Sequence, residues 1–76
     1  MGNKEQAYLS QAFRIFQQMK KDTKDGFVMR MRFMKTCADK WKVSMPTVSK
    51  YLDKFRGFGK LKEWEQGNVK YIKVEM

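Results

Sequence analysis

The chain contains no histidine, a single cysteine, a single proline and only 8 acidic residues among 76. Each scarcity excludes something. One cysteine cannot close an internal disulfide, and without histidine there is no plausible zinc set. The missing imidazole also removes the commonest general acid and base. Catalysis would have to rest on lysines or carboxylates, and no pair of these stands out. The expectation is a protein that is not an enzyme and carries no cofactor or metal. No apolar run approaches the roughly 18 residues that span a bilayer, so no membrane partner is expected. The opening run Met1-Gly2-Asn3-Lys4-Glu5-Gln6 has no apolar stretch behind its charges and does not read as a secretory signal. A free cysteine and no signal fit a reducing cytoplasm.

What is present is apolar bulk and positive charge. Hydrophobic residues make up 42% of the chain, too many for a disordered tail, and they include 6 Phe, 3 Tyr, 2 Trp and 7 Met. A chain this short buries only about 60% of the surface that its unfolded form exposes. Its core must therefore be shared by every element of one domain, residues 1–76. The formal charge is +9. Residues 1–38 hold eight basic and three acidic groups, and residues 39–76 hold nine and five. The excess is spread through the fold, and a pI near 9.9 on a folded domain is the footprint of a nucleic-acid binder.

Periodicity divides the chain. Leu9, Phe13 (or Ala12), Phe16 and Met19 or Lys20 recur at helical spacing, with Tyr8 and Ile15 widening the stripe, so residues 4–21 read as a helix. Residues 20–26 are charged and end in Asp25-Gly26, which reads as a loop whose lysines Lys20, Lys21 and Lys24 could touch a phosphate. Phe27, Val28 and Met29 are a candidate short strand. Met34, Cys37, Ala38 and Trp41 give a second helix over about 31–41, with no good N-cap residue at its start. Ser44 is a plausible N-cap for a third helix, and Pro46 falls in its first turn, where no intrahelical donor is lost. Val48, Leu52 and Phe55 give that helix its apolar face, and Gly57 or Gly59 stops it. The tail reads as a hairpin, with strands at about 61–64 and 69–74 around the turn Gln66-Gly67-Asn68.

The stretch from Met34 to Leu52 places small Ala38 between two helices and makes Cys37 and Trp41 inward-facing. Val43 plugs the turn, Ser44 opens the next helix, and Val48, Tyr51 and Leu52 point inward from it. Gly57-Phe58-Gly59-Lys60-Leu61 then joins helix to hairpin. Over nearly the whole chain this order resembles the winged helix-turn-helix family of DNA-binding domains. The resemblance implies an α+β fold of three helices followed by a C-terminal β-hairpin wing. One departure is Lys42, at a turn position where the family often has glycine because the backbone there tends to be left-handed. A non-glycine residue costs on the order of 1 kcal/mol in that conformation.

The resemblance also implies a function: sequence-specific binding of double-stranded DNA by a small transcriptional regulator, a repressor that occupies its operator. The third helix would enter the major groove, ~12 Å wide, and the wing would lie on the minor groove or backbone. At ~100° per residue Lys50 lies opposite Val48, Leu52 and Phe55, flanked by Pro46 and Asp53 on one side and by Thr47 and Lys54 on the other. Thr47 and Lys50 would read bases, and Lys50 can donate to guanine O6 and N7. Ser49, Lys54 and Arg56 would meet phosphates. Lys42 and Ser44 complete this side of the set, and Asp53 would repel phosphate unless it faces away or accepts from cytosine. On the wing, Gln66 and Asn68 form the tip, and Lys62 and Lys70 its flanks. Glu63 and Glu65 would pair with lysines across the strands.

One such unit reads few bases, so a homodimer on a two-fold site is expected, with the first helix or residues 74–76 as its interface. The remaining expectations are structural. Cys37 is a small core residue, and Trp41 and Trp64 are core aromatics. Met29, Met31 and Met76 could be exposed at a partner surface. Gly57-Phe58-Gly59-Lys60 is a helix stop and not a phosphate loop. Two other functions compete. One is a winged-helix protein–protein adaptor. The other is an RNA or single-strand binder, which needs exposed aromatics among Tyr51, Phe58, Trp64 and Tyr71.

Overall fold

The computed structural model describes residues 3–23 and 25–75. The expectations placed on Lys24 and Met76 lie outside them. Helix α1 (Asn3–Lys20) leads through a loop to strand β1 (Val28–Met29). Helices α2 (Arg30–Trp41) and α3 (Met45–Gly57) follow, and the hairpin β2 (Leu61–Gln66) and β3 (Val69–Val74) closes the chain. The fold is α+β, and its three helices followed by a C-terminal hairpin are compatible with winged-helix topology.

Sequence dictates the helix ends. α1 buries Leu9, Ala12, Ile15 and Phe16, while Phe13 is only partly covered. At its end the Thr23 hydroxyl donates to the Lys20 carbonyl at 2.9 Å. α2 begins on Met29 with no side-chain cap. It needs little, because the strand residue before it is already held by the sheet. Its buried residues are Phe33, Met34, Cys37 and Trp41. Phe33 is fully enclosed, a core position that the helical spacing of Met34 and Cys37 did not single out. Lys42 ends α2 in left-handed backbone (φ 56°, ψ 47°), the conformation expected of that turn. Ser44 then caps α3, its hydroxyl accepting from the Thr47 N–H at 3.4 Å. At the other end Gly59 takes φ 73°, its N–H donates to the Arg56 carbonyl at 3.0 Å, and the Lys60 N–H donates to the Phe55 carbonyl at 2.9 Å. That pairing is a Schellman stop, so Gly59 makes the reversal and Gly57 is the last helical residue.

The sheet holds three antiparallel strands in the order β1-β3-β2. β1 adds a third strand to the expected hairpin, with Val28 opposite Ile72 and Met29 opposite Tyr71. β2 runs on to Gln66, two residues beyond the expected end, and pairs Gln66 with Val69 across a turn of Gly67 and Asn68. Gly67 sits at φ 64°, while Asn68 does not use its tolerance for positive φ. Strand alternation sorts the side chains. Val28, Leu61, Ile72 and Val74 are buried against the helices. Lys62, Trp64, Tyr71 and Lys73 share the outer face, where Lys62 stands opposite Lys73 and Trp64 opposite Tyr71.

Two expectations are corrected here. Trp64 is not a core aromatic: it is half-buried on the outer face, with the Phe27 ring edge-on at 4.9 Å. Trp41, by contrast, is in the core, 4.7 Å from the Tyr8 ring. Val74 cannot serve a dimer interface because it is buried in the core. The Glu75 N–H is bonded to the Lys60 carbonyl at 2.7 Å, closing the base of the hairpin. Every element supplies core residues, and among the described residues no polar or charged one is buried.

Candidate nucleic-acid interface

The cap at Ser44 and the buried triad Val48, Leu52 and Phe55 fix the rotation of α3. Lys50 is consequently exposed, as are Pro46, Asp53 and Lys54 beside it. Thr47 is half-buried, and its hydroxyl is hydrogen-bonded to that of Ser44 at 3.0 Å. The Lys54 ammonium lies 5.8 Å from the Tyr51 ring centroid, a cation–π distance that holds its stem along the helix. Lys42 is exposed one turn before the helix. Lys42, Lys50 and Lys54 therefore leave three ammonium groups on the solvent side of this segment.

Other residues of the expected set are engaged inside the protein. The Ser49 hydroxyl accepts from Arg30 Nη2 at 3.4 Å and is half-buried. Arg56 Nη1 is 3.0 Å from Glu63 Oε2, and its Nη2 is 3.1 Å from Asp53 Oδ1. Asp53 thus has its charge offset by Arg56, which answers how a carboxylate is tolerated on this helix. Glu63 is not paired with a lysine across the strands: its neighbour in register is Ile72, and its carboxylate binds Arg30 and Arg56. Glu65 does stand opposite Lys70.

The wing separates two lysines that share its flanks in the sequence. Lys70 is on the face of Glu63 and Ile72, toward the helices, in a shallow depression of about 260 Å³ with Arg56, Glu63 and Glu65. Lys62 is on the outer face and pairs with Glu75 at 3.5 Å. The two lysines therefore cannot meet one backbone together from the same side. Gln66 and Asn68 are exposed at the tip. A second depression of about 300 Å³ runs between tip and α2, lined by Met29, Arg30, Met31, Asn68, Val69 and Lys70. Met29 and Met31 are exposed, as expected.

Arg30 is the residue that sequence reasoning missed. Its partners Ser49 and Glu63 are 19 and 33 residues away, and nothing local in the sequence marks it.

Other candidate chemistries find no support in this geometry. The amides of Phe58, Gly59 and Lys60 all donate to α3 carbonyls, so Gly57-Phe58-Gly59-Lys60 offers no cradle for phosphate. Burial pushes the Cys37 thiol up to about 12, which keeps it protonated at neutral pH. Among the described residues no cluster of His, Cys, Asp and Glu could hold a metal ion, and no helix is long and apolar enough to cross a membrane. Compared with known proteins, the chain matches no family model, no curated protein and no solved structure.

Proposed function

We propose that the protein binds double-stranded DNA sequence-specifically as a small cytoplasmic regulator of transcription, a repressor of the winged helix-turn-helix type. One observation carries this reading. α3 is a capped helix whose buried face is fully committed, and its exposed face presents Lys50 and Lys54 with Lys42 just ahead. A helix of that kind fits the major groove, with Thr47 and Lys50 at base edges and Lys42 and Lys54 at phosphates. The wing adds Gln66, Asn68 and Lys70. Ser44 acts by capping α3, Ser49 and Arg56 act within the protein, and Lys62 stands apart from the contact face. One domain reads few base pairs, so the reading includes a homodimer on a two-fold site. The net charge of +9 supplies the sequence-independent attraction.

A second reading is favoured by the outer sheet face. There Phe27, Trp64 and Tyr71 form an aromatic cluster, with Phe27 36% exposed. Such rings can stack unpaired bases. One experiment separates the two. Fluorescence anisotropy is read for a random-sequence duplex and a single strand of equal length across several salt concentrations. Preference for the duplex, with log affinity falling steeply against log salt, is the expected result. Preference for the strand moves the site to the outer face, and weak binding to both overturns the nucleic-acid reading.

A further inference from the structure

The five polar residues Ser49, Arg30, Glu63, Arg56 and Asp53 form one chain of hydrogen bonds. It leaves α3 at Ser49, crosses to Arg30 at the start of α2, passes through Glu63 on β2 and returns to α3 by Arg56 and Asp53. Its two ends lie four residues apart, on adjacent turns of the proposed recognition helix. Glu63 is the only wing residue in the chain. Its Oε1 accepts from Arg30 Nε at 2.9 Å and its Oε2 from Arg56 Nη1 at 3.0 Å, so each carboxylate oxygen binds a different helix. The Arg30 and Glu63 side chains are only 21% and 20% exposed, which shelters this pair from the screening that weakens surface ion pairs.

Position along the strand gives the network its meaning. On the inner face of β2, Leu61 is buried, Glu63 is half-buried and Glu65 is exposed. Apolar packing therefore holds the base of the wing and ends before its tip. Among the described residues, Glu63 is the last of β2 whose side chain is seen hydrogen-bonded to a helix residue. At about 3.3 Å of rise per residue, roughly 10 Å of hairpin projects beyond it, and Lys70 stands on that part, opposite Glu65.

We infer that Glu63 is a positioning residue for DNA binding, holding the wing at a fixed angle to α3 through Arg30 and Arg56. The inference rests on the duplex-binding reading above. In this arrangement Lys70 reaches the backbone only while α3 is seated in the groove, because both are referred to the same carboxylate.

The test is a cycle between two residues on the inner face of the hairpin, Glu63 opposite Ile72 and Lys70 opposite Glu65. Lys70→Ala is made in the wild-type chain, in Glu63→Ala and in Glu63→Gln, and the affinity for one duplex is measured at several salt concentrations. In the wild-type chain Lys70→Ala is expected to weaken binding several-fold and to lower the salt slope by about 1. In Glu63→Ala the same change is expected to alter neither. Glu63→Gln keeps an acceptor for one arginine and should restore part of the Lys70 effect. Thermal midpoints accompany each variant, and where Glu63→Ala fails to fold the comparison is made in Glu63→Gln. An equal Lys70→Ala effect in all backgrounds overturns the inference, since a wing held by Glu63 requires the two changes to be coupled. So does a Lys70→Ala change that has no effect in the wild-type chain. Absence of salt-dependent duplex binding by the wild-type chain overturns the duplex reading itself, and the inference with it.

Discussion

Lys42 and Ser44 share the turn between α2 and α3: Lys42 reverses the backbone at φ 56°, and Ser44 returns it to extended geometry at φ −76° and ψ 160°. The left-handed residue lets the Val43 N–H reach back to the Ala38 carbonyl at 3.1 Å. The extended residue aims its hydroxyl at the exposed first amides of α3. The rotation of α3, and hence the direction in which Lys50 points, depends on both.

Ser44→Ala removes the only side-chain cap on α3. The expected loss is about 1 kcal/mol, which for a domain of this size corresponds to a fall in Tm of roughly 4–8 °C. Ser44→Asp should retain most of the stability, because its carboxylate accepts from the same amides. Thermal denaturation followed by circular dichroism checks both variants. An Ala variant as stable as wild type would mean that packing alone places the start of α3.

Lys42→Gly tests the strain at the turn. Glycine reaches φ 56° without the Cβ clash, so the variant should be as stable as wild type or more stable by up to about 1 kcal/mol. Lys42→Val should be clearly destabilised, because β-branching worsens the same clash. Urea midpoints at constant m-value read the difference. If Val is tolerated as well as Gly, the backbone relaxes at this position and the left-handed turn is not required.

Local signals carried most of this fold into the sequence. The stripe Val48, Leu52 and Phe55, the cap at Ser44 and the reversals near Lys42, Gly59 and Gly67 each act within a few residues, and each marks its element. Non-local pairings left less of a trace. The candidate strand at Phe27, Val28 and Met29 is borne out as β1, but its two residues do not say that it pairs with Ile72 and Tyr71. The opposite faces taken by Lys62 and Lys70 follow from the β2–β3 register, in which Lys70 stands opposite Glu65, since a shift of one residue would put both on one face. Trp64 is as apolar as Trp41, and composition could not say that it faces outward. The Arg30–Glu63 pair spans 33 residues, so the candidate site was legible as a set of cations but not as the ion pairs that divide it.

Those divisions change what substitutions on the cationic surface should do. Lys50→Ala is expected to reduce discrimination between duplexes, because Lys50 stands alone opposite the buried face of α3. Lys70→Ala is expected to weaken all duplexes alike and to lower the salt slope by about 1. Lys62→Ala should leave duplex affinity nearly unchanged, because Lys62 lies on the outer face beside Glu75. A selected and a scrambled duplex, titrated at several salt concentrations, separate these behaviours. A large loss from Lys62→Ala would place the outer sheet face against the nucleic acid.

Cys37 links the core to pH. Its side chain is fully enclosed, and burial raises the thiol from its ordinary value of 9.0 to about 12. Below pH 9 the thiol is protonated in both the folded and the unfolded chain, and its contribution to stability is complete. Between about 9 and 12 the unfolded chain loses the proton while the folded chain keeps it, so stability falls as pH rises. Cys37→Ala removes this loss. All other ionisable groups are common to both proteins and cancel in the comparison. The stability of wild type relative to Cys37→Ala should therefore decrease from pH ~9 to pH ~10.5 in urea titrations. The native thiol should also resist a disulfide reagent at pH 8 and react fully in urea. Parallel stability curves, or rapid modification of the native chain, would show that water reaches Cys37 and that the packing of α2 is looser than the structure has it.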